Sequence, residues 1–226
     1  MKHKVYLISK DAVQKKIEEV IEEEPLDFYV NEKKYRTFFR TPGEDLPLIL
    51  GFCFTEGIIK DKKEIISFEV KNEEAKVKVK SLSVREKSWN REGRVSLEEL
   101  ISCLKEMEER QKLRKRTRAS HAVMLFSYKL EPISFSEDVA RHNALDKAIG
   151  KALLEDKIDD VFLAVLSSRI SFEMVKKISK TGIKIVFAVS RPTSMAILFS
   201  EKIRLSLISL AKDGIIVYSG KERIRV

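Results

Sequence analysis

Eleven consecutive residues, Glu137 to Lys147, gather carboxylates (Glu137, Asp138, Asp146), two cations (Arg141, Lys147), a histidine (His142) and an asparagine (Asn143). They run directly into an apolar helical stretch, Ala148-Ile149-Gly150-Lys151-Ala152-Leu153-Leu154. The chemistry open to such a set is the holding of an anion. The first turn of a helix leaves backbone N–H groups unpaired and carries a partial positive charge, so cations and hydrogen-bonding side chains there reinforce an existing preference. His142 reads equally as an acid or base and as a hydrogen-bonding cap. Two later segments repeat the theme: Ser168-Arg169-Ile170-Ser171 and Arg191-Pro192-Thr193-Ser194. Arg141, Asn143, Arg169, Ser171, Thr193 and Ser194 are the expected phosphate contacts, with Lys147 and Arg40 adding positive field. An arginine at each of three helix starts suits a ligand carrying several phosphates, because guanidinium grips phosphate in a bidentate fashion.

These residues need elements that bring them to one place. The second half of the chain supplies them. A strand over 122–130 leads to a helix at about 140–155. A strand at Val161–Leu166 leads to a helix over 171–180, closed by Gly182. A strand over 183–189 leads to a helix over 194–202, and two last strands, 204–210 and 215–219, turn at Asp213-Gly214. Nearly continuous apolar, β-branched strands mark a sheet covered on both faces. Crossovers of this kind line up successive helix starts along one sheet edge.

The first half has a different pattern. A strand over 5–9 precedes a short helix capped by Asp11, with Val13, Ile17, Val20 and Ile21 as its stripe and Pro25 as its stop. Two strands between Leu26 and Phe39 join at Asn31-Glu32, and Arg40-Thr41-Pro42-Gly43 is a turn. A buried helix starts over Pro47 to Phe54, and 66–82 alternates as a half-exposed hairpin. Ser83 to Arg94 shows no period and reads as a loop. Ser96 with Glu99 forms a capping box for a helix over 96–112. That helix ends in a basic run with Lys112, Arg114, Lys115, Arg116 and Arg118, which reads first as a solvated helix end matched to its dipole and second as a phosphate-binding arm. The expected division is residues 1–118, an α+β part, and 119–226, the β-α-β core, the two able to form one compact unit.

Composition narrows the partners. The net charge is 44 − 35 = +9 over 226 residues, which favours anionic ones: nucleic acid, phosphorylated cofactors or an acidic protein surface. A charged fraction of 35%, rich in Lys and Glu, also suits ion-pair networks in a protein that works hot. No apolar run approaches the roughly 18 residues that span a bilayer, and Met1-Lys2-His3-Lys4 leads into too short an apolar stretch for a signal peptide, so the expected location is cytoplasmic.

Several chemistries lack their residues. There is no GxxxxGK[ST], GxGxxG, HExxH or GxSxG motif. The two cysteines, Cys53 and Cys103, are fifty positions apart with no CxxC, which excludes a zinc site of familiar spacing. Both sit on apolar helical patterns and read as core residues. His121, at the start of a strand, reads as structural. An RNA-binding protein of deaminase-like fold is the alternative function. It is motivated by the charge and the basic run, and lacks exposed aromatic runs for base stacking. An active zinc deaminase is excluded by the missing cysteine pair.

A set of segments in order carries a resemblance: Glu24-Pro25-Leu26, Arg40-Thr41-Pro42-Gly43, Leu50-Gly51-Phe52, Thr55-Glu56-Gly57-Ile58-Ile59, Glu137 to Lys147, Arg169-Ile170-Ser171-Phe172-Glu173, and Ala188-Val189-Ser190 with Pro192-Thr193-Ser194. Together they resemble the FdhD family, the formate dehydrogenase accessory sulfur carriers, from about residue 23 to the end. The resemblance implies a cytidine-deaminase-like α/β fold, a mixed sheet with flanking helices, beside a smaller N-terminal β-rich subdomain. It implies a cytoplasmic homodimer that takes sulfur from a cysteine desulfurase. The sulfur passes to the molybdenum or tungsten bis(molybdopterin guanine dinucleotide) cofactor of formate dehydrogenase, with GDP as a surrogate ligand. It places the family's C-terminal cofactor-contacting turn on Ser209, Leu210, Ala211, Lys212, Asp213 and Gly214, and makes His142 part of the cofactor site. The family's persulfide-bearing Cys-Gly-x-Cys-Gly loop corresponds here to Lys87-Ser88-Trp89-Asn90-Arg91-Glu92-Gly93-Arg94, which has no cysteine. A thiolate is needed to accept sulfane sulfur, so the usual sulfurtransferase route has no carrier in that segment, and a cofactor-binding chaperone without sulfur transfer is what remains.

Overall fold

The computed structural model describes residues 1–80 and 93–225. The expected loop at Ser83–Arg94 and the counterpart of the family's cysteine loop lie outside the described residues, apart from Gly93 and Arg94.

The second half forms a six-stranded mixed sheet. Its strands are β7 (His121–Ser127), β8 (Pro132–Asp138), β9 (Val161–Leu166), β10 (Ile185–Ala188), β11 (Ser206–Ala211) and β12 (Gly214–Ser219), in the order β12-β11-β10-β9-β7-β8. Strands β9, β10 and β11 are parallel; β7 runs antiparallel to both β8 and β9, and β12 antiparallel to β11. Thus β8 points the same way as β9. Helices α4 (Arg141–Leu154), α5 (Phe172–Ile178) and α6 (Ser194–Lys202) connect these co-directional strands and begin at their shared C-terminal edge. All six residues of β9 are buried, as a strand covered on both faces requires. One face packs on α4, α5 and α6 through Val123, Leu125, Ala164, Val186 and Leu207. The other packs on α2 (Leu97–Arg110) through Met124, Phe126, Val165 and Phe187.

The first half builds a four-stranded sheet, β4-β3-β6-β5, from β3 (Glu24–Val30), β4 (Lys33–Arg40), β5 (Ile65–Lys71) and β6 (Glu74–Val79). Its hairpins turn at Asn31-Glu32 and Asn72-Glu73, all four with positive φ. Those are the mirror-image turns that match strand twist, and Asn tolerates them well. Helix α1 (Asp45–Thr55) joins this sheet to α4 in one continuous apolar core. The two helices cross so closely that a Cβ on Gly51 would stand 1.8 Å from the Asp146 carbonyl oxygen, and one on Gly150 1.9 Å from that of Pro47. No helix among the described residues is long and apolar enough to cross a membrane.

The structure corrects four sequence expectations. The segment after Asp11 is a strand, β2 (Val13–Glu19), paired along its length with β1 (Lys2–Ile8). The Val13/Ile17/Val20 spacing suits a helix, but β-branched residues opposite a complementary strand settle as a hairpin. The strand starting at residue 122 does not run to the helix. It turns back through β8, whose Ile133 and Phe135 alternate with Ser134 and Ser136 and whose Pro132 is tolerated on a sheet edge. Glu137 and Asp138 therefore end a strand instead of opening a helix. The helix expected over 96–112 keeps its Ser96/Glu99 capping box but breaks at buried Gln111, and the basic run forms a separate helix, α3 (Lys112–Thr117). Glu137 causes the break to hold: its carboxylate accepts the backbone N–H groups of Leu113 and Arg114 at 2.8 and 2.9 Å and the Ser120 hydroxyl at 2.8 Å. Finally, the last hairpin turns at Lys212-Asp213, one residue earlier than expected, and Gly214 (φ 143°) opens β12.

Candidate functional site

The shared C-terminal edge of β8, β9 and β10 carries a hollow of about 690 Å³. Its wall is assembled from five places in the chain. Arg141 is the first residue of α4; Ser167, Ser168 and Arg169 follow β9; Ser190, Arg191, Pro192 and Thr193 follow β10; His121 opens β7; Arg114 comes from α3. The loops are tied together. Ile170 bridges Pro192, and the Thr193 N–H donates to the Ile170 carbonyl at 3.0 Å. The Ser167 N–H donates to the Ala122 carbonyl at 3.0 Å, while the Ser167 hydroxyl accepts the Ala122 N–H at 2.8 Å.

Four guanidiniums face this hollow, and no carboxylate among the described residues lines it. Arg191 is held from behind by the hydroxyls of Ser209 and Tyr218, both at 3.3 Å, and Arg114 by the Ser120 carbonyl at 3.0 Å. Arg141 Nε and His121 Nδ1 are buried without a hydrogen-bond partner. A buried polar atom left unpaired costs roughly 1–3 kcal/mol, a cost that a ligand oxygen against the Arg141 Nε–H would relieve. The imidazoles of His121 and His142 both lie below the usual histidine range. Burial is the leading cause for each, followed by Arg141.

The arginines expected to converge do converge: Arg141, Arg169 and Arg191 share one cavity, joined by Thr193. Other expected contacts stand elsewhere. Lys147 is 1% exposed, 2.6 Å from Asp138, and donates to the Thr41 carbonyl. Asn143 is buried and donates to Asp138 and to the Phe39 carbonyl. His142 turns toward Glu173, 3.8 Å away, outside the lining. Arg40 is buried in ion pairs with Asp45 and Glu24. Ser171 precedes α5 with its hydroxyl buried and unpartnered, and Ser194 is exposed at the start of α6; neither lines the hollow. Of the Ser209–Gly214 segment, Ser209 positions Arg191, Leu210 and Ala211 complete β11, Lys212 and Asp213 form the hairpin tip and Gly214 opens β12, the last three outside the lining.

Arg114 and His121 belong to the wall although the sequence marked neither as a site residue. The basic run held one signal for Arg114. For His121 the sequence held no such signal: its strand was expected to lead straight to a helix, and the intervening β8 is what reverses it and puts its first residue beside the others' helix starts. Cys53 and Cys103 are buried, and burial pushes both thiols up to about 12.

A three-layer mixed α/β fold with a basic, anion-ready sheet edge is the class of protein these observations define. The FdhD/NarQ family model matches residues 21–95 and 82–225, so this chain belongs to the FdhD/NarQ family. Among relatives, the sulfur carrier protein FdhD of Sulfurisphaera tokodaii is 32% identical over 248 residues, covering 98% of this chain and 97% of its own. The sulfur carrier protein FdhD of Saccharolobus solfataricus is 33% identical over 229 residues, 89% of each chain. The crystal structure of a candidate formate dehydrogenase accessory protein from Desulfotalea psychrophila matches with a TM-score of 0.86 over 100% of this chain and 99% of that one. At 24% identity that match speaks for the fold.

Proposed function

We propose that this chain is an accessory protein of formate dehydrogenase maturation that holds the molybdenum or tungsten bis(molybdopterin guanine dinucleotide) cofactor by its phosphates. The observation that carries the reading is the set of four guanidiniums on one hollow, with no carboxylate among the described lining residues to neutralise them. Like charges gathered this way repel, and a phosphate-bearing ligand relieves the repulsion while pairing the Arg141 Nε–H. When bound, the metal centre supplies the formate chemistry of the client enzyme. This chain's residues grip and orient: Arg141, Arg169 and Arg191 pair with phosphate oxygens, Arg114 adds a fourth cation, and the hydroxyls of Ser168, Ser190 and Thr193 offer neutral hydrogen bonds.

Sulfur relay through this chain's own cysteines is not part of the reading. Cys53 and Cys103 are its only two, and both thiols are shielded in the core and held protonated at neutral pH. A protonated, inaccessible thiol does not attack a persulfide donor.

Titration of GDP into the purified protein at low salt tests the binding role. Saturable binding at or below about millimolar GDP, typical of small charged ligands, supports it. No binding at that level, or steeply salt-dependent RNA binding that GDP does not displace, overturns it. Incubation with a cysteine desulfurase and cysteine, read by intact mass, tests the second part. The mass is expected to stay unchanged, whereas one added sulfur on Cys53 or Cys103 would restore a carrier role.

A further inference from the structure

His121 stands apart from the rest of the wall: among the described lining residues it is the side chain that ordinarily titrates near neutrality. Its surroundings are lopsided. Arg141 of α4 and Arg114 of α3 act on it directly, and Arg169 and Arg191 complete the same cavity. The carboxylates nearby are already engaged. Asp138, its register partner on β8, lies 2.6 Å from Lys147 and accepts the N–H groups of Ala140, Thr41 and Asn143. Glu137, next along β8, is taken by the amides of α3 and the Ser120 hydroxyl. The imidazole therefore meets cations on its cavity side and, among the described residues, no free carboxylate. Burial, then Arg141 and Arg114, hold it below the usual histidine range against a smaller opposing pull from Asp138, so at neutral pH the ring is uncharged. Its Nδ1 and the neighbouring Arg141 Nε are both buried and unpartnered.

A phosphate-bearing ligand reverses that field. It brings fixed negative charge against the arginines that keep the ring neutral, and it offers acceptor oxygens to two atoms that have no partner. We propose that His121 becomes a ligand of the hollow by taking up one proton as the phosphate group enters, so that ligand and proton bind together. This rests on the anion-site reading above and assigns its ligand class as one with fixed phosphate charge, such as a pyrophosphate diester. The proton comes from solvent and adds to an imidazole nitrogen; it returns to solvent when the ligand leaves, and no covalent bond changes. Since the free protein's histidine binds its proton less tightly than the ligand-bound one, affinity rises as pH falls between those two values and levels off outside them. For one linked proton the slope approaches tenfold per pH unit.

The probe is GDP-mannose, a pyrophosphate diester whose charge stays constant from about pH 5.5 to 8, the range in which histidine titrates. Isothermal titration in two buffers of different ionisation heat reads proton uptake directly in the unmodified protein. The expected result is uptake approaching one proton per ligand and a roughly three- to tenfold gain in affinity per pH unit on acidification. His121→Gln should still bind but lose both the uptake and the slope. Binding with no uptake across the range overturns the proposal, and so does uptake that persists in H121Q and vanishes in H142Q. Failure of the unmodified protein to bind the diester at any pH would instead remove the anion site itself, so the two failures are distinguishable.

Discussion

Arg141 and Lys147 lie on one helix, under two turns apart, and carry the same charge, yet the fold treats them in opposite ways. Lys147 faces inward and is sealed against Asp138, with Thr41 as a second partner. One residue earlier on the same helix, Asp146 repeats the arrangement with Lys177 and Thr55; burial pushes its carboxyl up, against the pull of Lys177. Arg141 faces the sheet edge, where the described wall holds other cations, hydroxyls and an imidazole and no carboxylate. The inner charges are closed circuits that fasten the α1 turn to α4 and β8. The outer ones are left open. A cluster of polar residues in sequence becomes a site only where the fold withholds the counter-charge.

That contrast can be broken at its inner side first. Lys147→Met leaves Asp138 buried without its cation, which should cost about 3–5 kcal/mol of unfolding free energy in urea denaturation. Pairing it with Asp138→Asn, which removes the charge and keeps an acceptor for the surrounding N–H groups, should recover much of that loss, because the penalty lies in the orphaned charge. A K147M protein as stable as the parent would remove the distinction. On the outer side, Arg141→Ala should change stability by no more than about 0.5 kcal/mol, as for a side chain with no partner to lose. The same change should weaken GDP binding by about 10- to 100-fold, the worth of one charge-assisted contact. Equal effects on stability and binding would show Arg141 to be a structural residue.

The smallest effect is the pH dependence of the free protein. His121 and His142 have folded-state values below their unfolded ones, so the unfolded chain binds protons more readily. Stability should be level above the ordinary histidine value of about 6.5 and decline as pH falls below it toward the depressed folded values. Thermal melts across that window check the sign, and saturating anion should flatten the decline if His121 gains its charge in the complex.

Much of the scaffold was legible because its causes are local. The Ser96/Glu99 box, the apolar run of β9 and the Asn-led hairpin turns all act within a few residues. What escaped was set from afar. β2 became a strand because β1 pairs with it, and the break at Gln111 depends on Glu137, twenty-four residues beyond Leu113. The site divides in the same way. Arg169 and Arg191 were visible as arginines in loops after apolar strands, a pattern the topology brings together. Lys147 and Asn143 looked equivalent to Arg141 because nothing in the sequence shows that Thr41 and Phe39, more than a hundred residues earlier, come to meet them.

The grip of Glu137 on α3 has its own consequence. A six-residue helix holding Lys112, Arg114, Lys115 and Arg116 is too short and too self-repelling to persist alone in water. Its amide ends close on a carboxylate from a later strand, so the cation it lends to the hollow takes station only once β8 has docked. The wall is thereby completed by the act of folding the sheet, and an immature chain presents an unfinished grip to any anion.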